Sequence, residues 1–282
     1  MYVLAHFRTE AEALHYAVSE DGYEWDPLNC GEAVLRSDVG NESIRDPFLV
    51  RDRGGTYHLL GTDSWDSDAI VHATSPDLVE WSDPELVGVM ADVPGVRNTW
   101  APECFYDREL DVYRLVWSST VNPGGDPDAR DHRIWTCSTT DFESFGAPAV
   151  LFDPGYTVID ACVVRHSGEY LMAFKDERGE NDLDTDHKDV RLAHAPSGGG
   201  PFADVTGPVT PGPVEGPTLF HNGQEWLVLY DHFIEGRYGA SRSDDAREWT
   251  VCDGRMSFPD GIRHGDVLEV DDAVGRRLRA AF

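Results

Sequence analysis

The chain has 282 residues, 40% of them hydrophobic and 11% aromatic, and a formal net charge of −29. A chain of that length buries a full core without staples. Its mean hydropathy is −0.41, and no apolar run nears the ~20 residues of a membrane helix, which excludes a helical membrane protein. With 52 acidic against 23 basic residues, the surface repels phosphate backbones and anionic lipid, so neither nucleic acid nor a membrane is an expected partner.

The acids, 33 Asp and 19 Glu, lie along the whole chain in loops and beside turns, and the bases are 21 Arg with only two Lys, Lys175 and Lys188. That spread reads as adaptation to high salt, where screening relieves self-repulsion, rather than as one acidic binding face. Met1 to Arg8 has neither the basic nor the apolar region of a signal peptide, so a cytoplasmic protein is expected. Five cysteines (Cys30, Cys104, Cys137, Cys162, Cys252) are odd in number and lack a CxxC pair. They fit neither a disulfide framework nor a zinc site and read as reduced thiols.

In chain order, two units alternate. The first is a tail of the form Ser-x-Asp-x-x-x-aromatic: Ser19 to Trp25, Ser75 to Trp81, Thr139 to Phe145 and Ser243 to Trp249, with a degenerate copy at Ala195 to Phe202. The second is a head, a small polar or acidic residue, often with Pro, that opens an alternating strand. Heads stand at Arg45-Asp46-Pro47, Ala101-Pro102-Glu103, Ile159-Asp160-Ala161, Glu215-Gly216-Pro217 and Arg263-His264-Gly265. Measured from Asp46, Glu103, Asp160, Glu215 and His264, they recur at steps of 57, 57, 55 and 49 residues.

Each head leads into a hairpin. Phe48 to Arg51 turns at Gly54-Gly55 into Thr56 to Leu60; Cys162 to Arg165 turns at Ser167-Gly168 into Tyr170 to Phe174; Thr218 to Phe220 turns at Asn222-Gly223 into Trp226 to Tyr230. Gly or Asn at the turn with β-branched and aromatic flanks is hairpin chemistry. A third strand follows, as in Ile70 to Thr74 and Arg133 to Cys137. No stretch shows helical periodicity, so an all-β chain is expected. Repeats of about 50 residues with three or four antiparallel strands predict a β-propeller, here of five blades. The chain opens on a tail and ends on a head, so strands from both ends of the chain complete the last blade of a single domain, residues 1–282.

The inner strand of each blade lines the axis, so Asp46, Glu103, Asp160, Glu215 and His264 are expected to converge at one mouth. Like charges brought together push their pKa values apart, which suits acid/base work, and two carboxyls facing across a sugar are the minimum for glycoside hydrolysis. Trp100 is a candidate wall for a sugar ring, Glu103 for a bond to sugar hydroxyls, and Arg45 for steadying a carboxylate. Lys175 ends an apolar strand in a chain nearly free of Lys and is expected to contact substrate or the carboxylates. The acidic tracts Asp63 to Asp68 and Asp182 to Asp189 lack EF-hand spacing and read as solvated loops.

The blocks Arg45-Asp46-Pro47-Phe48, Trp100-Ala101-Pro102-Glu103, Ile159-Asp160 and Glu215-Gly216-Pro217 resemble, in order and spacing, the signature blocks of glycoside hydrolase family 43. These are five-bladed propeller enzymes acting mainly on arabinose- and xylose-containing glycans. The resemblance implies an oligo- or polysaccharide substrate, an inverting mechanism and an arabinofuranosidase or xylosidase, with Asp46 as general base, Glu215 as general acid, and Asp160 orienting that acid and raising its pKa. It implies no required cofactor. At His264 it places a histidine beside a channel water or a calcium ion, so a structural Ca2+ there is an option and no metal ligand is assigned. The scarcity of Lys resembles proteins of salt-accumulating haloarchaea.

Four rival readings stand beside this one. Arg45-Asp46-Pro47 and Glu103-Cys104 also resemble blocks of the invertase-like β-fructosidases, with Glu103 as acid and a nucleophile in Trp25-Asp26-Pro27-Leu28-Asn29. A galactosidase on the same fold is another. A phosphorolytic relative would draw on Arg45, Arg97 and Arg263. The last is a glycan-binding propeller without catalysis.

Overall fold

The computed structural model describes residues 1–122, 130–179, 181 and 186–282. Among them the strands form five antiparallel sheets. From the axis outward, blade one is Arg45–Arg51, Tyr57–Thr62, Ile70–Ser75 and Glu85–Val87. Blade two is Trp100–Asp107, Val112–Ser119, Arg133–Thr139 and Ala149–Phe152. Blade three has Val158–His166, Glu169–Asp176 and Val190–Ala195, where a bridge from His194 to Ala203 stands in for a fourth strand. Blade four is Glu215–His221, Trp226–His232, Arg237–Ser243 and Thr250–Val251. The closing blade joins Arg263–Glu269 to Tyr2–Arg8, then Ala11–Ser19 and Asp26–Pro27. The inner strands of neighbouring blades pack in a ring, Arg263–Glu269 returning onto Arg45–Arg51.

The apolar core lies in the seams between blades, one cluster to each. Leu14, Tyr16, Leu49 and Leu59 fill the seam between the closing blade and blade one; Leu60, Leu115 and Trp117 fill the next. Phe105 with Tyr170, Leu171 with Val228, and Leu4 with Leu229 anchor the other three. Stability is thus a sum of nearest-neighbour interfaces that only a closed ring completes.

The recurring tail has a local cause. In Ser19 to Trp25 the Ser19 hydroxyl accepts from the Gly22 N–H (2.8 Å), and Asp21 Oδ1 accepts from the Tyr23 N–H (2.7 Å). Ser75 with Asp77, Thr139 with Asp141, and Ser243 with Asp245 form the same turn. Side-chain oxygens replace the ladder partners that the backbone loses at the corner.

The chain is not β throughout. Asp272–Ala281 is an α-helix, N-capped by Asp271 Oδ1, which accepts from the Ala273 and Val274 N–H groups at 2.9 Å each. It is short, and its apolar stripe reduces to Val274 and Leu278 packed against the first seam, too brief a period to stand out from sequence. No helix among the described residues is long and apolar enough to cross a membrane. Cys30 is exposed and the other four cysteines are buried and free. Residues 182–185 of the tract expected as a solvated loop lie outside the described residues.

Candidate active site

At the start of four of the five inner strands the chain makes the same manoeuvre. Asp46, Ala101, Asp160 and Gly216 adopt the left-handed conformation (φ 47°, 46°, 57° and 58°), and there the register with the second strand slips by a bulge. A bulge re-aims a side chain at a cost of roughly 1–3 kcal/mol of backbone strain per non-glycine residue. In blade four the position must be glycine, because a Cβ on Gly216 would collide with the His264 ring. The carboxyl there is carried one residue earlier, on Glu215, whose longer side chain makes up the reach.

The strand register corrects the expected convergence. Arg45, Trp100, Ile159, Glu215 and Arg263 are the residues paired with Thr62, Ser118, Lys175, Asp231 and Phe7 on the second strand of each blade. Glu103 lies past the bulge, level with Phe48, Cys162 and Thr218. It faces Asp266 in the channel beyond His264, in a separate cavity of about 500 Å³. Burial first, then the Asp266 charge, pushes the Glu103 carboxyl well up. Glu103 is therefore not at the mouth and does not reach a sugar bound there.

The other expected residues do meet. Arg45, Asp46, Trp100, Asp160, Lys175, Glu215 and His264 line one cavity of about 360 Å³, within the usual range for small-ligand sites. His264 is its hub. Its Nδ1 lies 3.3 Å from Asp46 Oδ1 and 4.0 Å from Asp160 Oδ2. Burial disfavours the charged imidazole, but Asp160 and Asp46, with Glu215 beyond them, raise its pKa to about 10. In return, although burial opposes it, the imidazolium brings Asp46 down to about 2, helped by Arg45 and by the Thr62 hydroxyl, which donates to Asp46 Oδ2 at 2.7 Å. The same Thr62 Oγ1 accepts from the Ala101 N–H (2.7 Å), tying blade one to blade two.

Asp160 goes the other way. Burial, with the neighbouring Glu215 charge, raises it to about 6 against the pull of His264 and Lys175. Its Oδ2 accepts from the Gly216 N–H (3.1 Å), linking blades three and four. Glu215 is clamped by two cations, Lys175 Nζ at 3.2 Å and Arg263 Nη2 at 2.9 Å. These outweigh burial and hold its carboxyl below the ordinary value of 4.5. The net shift of Glu215 thus runs opposite to the expected elevation by Asp160, because Lys175 Nζ and Arg263 Nη2 lie within 3.2 Å of its carboxyl. Lys175, 3% exposed, also pairs with Glu177 at 2.8 Å.

Trp65, Phe233 and Asp231 are among the residues of the site that escape sequence reasoning. Trp65, 57% exposed, lines the mouth: Trp100 Nε1 donates to its carbonyl (2.9 Å) and the Arg45 guanidinium lies 4.6 Å from its ring. Phe233 faces Lys175. Asp231 is fully buried behind Arg263; only the bulge between Glu215 and Thr218 brings it opposite Glu215.

Among the described residues no group of three or more His, Cys, Asp or Glu is arranged to hold a metal ion, and the Nδ1 of His264 already faces Asp46. The fructosidase reading loses its nucleophile, because Asp26 is exposed on the outermost strand of the closing blade. Arg97 does not line the cavity, which removes one cation from the phosphorolytic reading.

Residues 1–274 match a family described as a probable glycosyl hydrolase domain, related to family 43. An α-L-arabinofuranosidase of Bifidobacterium longum subsp. longum is 28% identical over 185 residues, 56% of this chain. The match spans 17% of that relative's length. A thermostable family-43 glycoside hydrolase superposes with a TM-score of 0.62 at 18% identity, covering 82% of this chain and 80% of the other. For an α-L-arabinofuranosidase from Lactobacillus brevis the values are 0.56, 16%, 74% and 72%.

Proposed function

We infer the reaction from one premise: the chain belongs to the family of probable glycosyl hydrolase domains related to family 43. On that premise it hydrolyses glycosidic bonds in arabinose- or xylose-containing glycans, with an α-L-arabinofuranosidase favoured by the Bifidobacterium relative, and it inverts the anomeric centre. One observation carries the reading: three carboxyls surround a cationic histidine in a single cavity, with Asp46 held at about 2 and Asp160 at about 6. Carboxyls pushed apart in proton affinity divide acid from base work.

Asp46, ionised at every pH of interest, takes the proton of the attacking water. Glu215 donates to the leaving oxygen as the C–O bond breaks, and Asp160 holds the Gly216 backbone, and so Glu215, in place. Trp100 and Trp65 supply the apolar wall for the sugar face. Arg45, bound to Glu12 at 2.7 Å, keeps Asp46 low. The lysine-poor, acidic surface supports a protein that works in high salt.

The test is hydrolysis of 4-nitrophenyl α-L-arabinofuranoside, β-D-xyloside and β-D-galactoside in molar KCl, with the anomer released followed by NMR. Asp46→Ala and Glu215→Ala should each cost roughly 10²–10⁴-fold in kcat, Glu215→Ala least on the nitrophenyl leaving group. Sugar binding without hydrolysis, unchanged by either substitution, would instead establish the glycan-binding propeller.

A further inference from the structure

The cation clamp leaves a question of supply: a residue held ionised by Lys175 and Arg263 must still deliver a proton. Asp231 stands directly across the hairpin from Glu215 and is fully buried. The two carboxyls share one guanidinium, since Arg263 Nε donates to Asp231 Oδ2 at 2.6 Å while Nη2 donates to Glu215 Oε1 at 2.9 Å. Asp231 Oδ2 also accepts from the His264 backbone N–H (3.3 Å), whereas Asp231 Oδ1 is buried with no hydrogen-bond partner among the described residues. An ionised carboxylate with one oxygen sealed off and unbonded is costly, and a proton on that carboxyl removes the cost.

We propose that Asp231 and Glu215 hold a single proton between them across Arg263, making Asp231 the positioning residue that keeps Glu215 supplied as general acid. This rests on the glycosidase reading above. In the major form the proton resides on Asp231, and Arg263 serves Glu215. In the minor form Asp231 is ionised, takes the guanidinium, and Glu215 carries the proton. Only the minor form reacts. As the bond breaks the proton passes to the leaving oxygen, the water yields its hydroxide to the sugar and its proton to Asp46, and solvent then takes the proton from Asp46 and restores one to the pair.

The groups facing Asp231 agree with this. From the closing blade come Arg263 and His264, and from its own blade Glu215 and the Tyr238 phenol. Burial and the Glu215 charge raise Asp231 to about 7 against the opposing pull of Arg263. A coupled pair loses its protons in two steps that belong to both groups. The fraction of the reactive form therefore stays constant until the second step, near neutrality, well above the pH at which Glu215 alone would lose its proton.

The experiment is a carboxyl ¹³C NMR titration of protein labelled at Asp Cγ and Glu Cδ, in molar KCl, with assignments from Asp231→Asn and Glu215→Gln. The Asp231 resonance should titrate near neutrality and drop toward the ordinary Asp range in Glu215→Gln. The Glu215 resonance should show its main step below 4.5 and a minor one at the Asp231 midpoint. An Asp231 that titrates in the ordinary range and ignores Glu215→Gln overturns the proposal. Should Asp231→Asn not fold, Asp231→Glu supplies the assignment.

The second measurement is the pH profile of kcat/KM on the glycoside cleaved. In Asp231→Asn the alkaline limb should move down by roughly two units or more, and Asp231→Glu should restore it. A rate lowered evenly at all pH, with the limb fixed, means a structural role and overturns the proposal. Should the titrations come out as expected while no glycoside is cleaved, the glycosidase reading fails and the shared proton stands.

Discussion

Replacing Lys175 by Met tests the electrostatic architecture of the mouth most directly. The ammonium is buried between Glu177 (2.8 Å) and Glu215 (3.2 Å), 4.6 Å from the Phe233 ring centroid. Removing one partner of a buried pair costs roughly 3–5 kcal/mol. Here each abandoned carboxylate keeps another cation, Glu177 the Lys188 ammonium at 2.9 Å and Glu215 the Arg263 guanidinium at 2.9 Å, so the lower end applies, about 3 kcal/mol. That is a large share of a total of ~5–15 kcal/mol.

The assay is urea unfolding at fixed salt, urea being uncharged, with a midpoint shift of roughly 1 M. The pH dependence has a definite sign. The carboxylates raise the Lys175 pKa above its unfolded value, so its contribution is complete below the unfolded pKa and is lost only as pH rises through the folded one. The Glu215 carboxyl is depressed, so its part is present above 4.5 and is lost as pH falls through the folded value. The deficit of Lys175→Met should therefore be full at pH 7 and shrink below pH 4. A deficit under about 1 kcal/mol at pH 7, or one equal at both pH values, would mean that the methylene stem packed on Phe233 matters and the charge does not.

Two further outcomes are expected. Thr62→Val removes the hydroxyl that bonds both Asp46 and the Ala101 N–H. It should cost about 1–3 kcal/mol for the orphaned donor and move the acid limb of the pH profile upward as Asp46 loses a stabilising donor. Dilution from molar KCl to low salt should unfold the chain cooperatively by far-UV circular dichroism, since 52 acids face 23 bases and screening fades; full stability without salt refutes the halophilic reading.

What could be read from sequence was whatever local chemistry repeats. The tail is visible because Ser, Asp and an aromatic each do one fixed job in the same corner, and the head is visible because one left-handed bulge opens four strands. Together they gave the blades, the closing strands and the neighbourhood of Asp46, Asp160, Glu215 and His264. Depth along the axis was not visible, since two residues of register separate Glu103 from the mouth and only hairpin pairing reveals it. The proton affinities were not visible either, because the cations that set them arrive on other strands: Lys175 from blade three and Arg263 from the closing blade. Asp231 was hidden for a simpler reason, as an Asp at the end of Trp226-Leu-Val-Leu-Tyr230 reads as a strand terminus meeting solvent.

The closing blade also sets a clock on synthesis. Tyr2–Arg8, almost wholly buried in the finished ring, leaves the ribosome roughly 260 residues ahead of its inner partner Arg263–Glu269. At ~5–20 residues per second that is on the order of 15–50 seconds with one side of an apolar strand unpaired. Blades one to four are complete in sequence before then. Arg263 and His264, which govern the charge of Glu215 and Asp46, come with the last strand. A nascent chain thus completes its chemistry in the same event that seals its most exposed edge, and a protein truncated before that strand would carry the three carboxyls and Lys175 without Arg263 and His264.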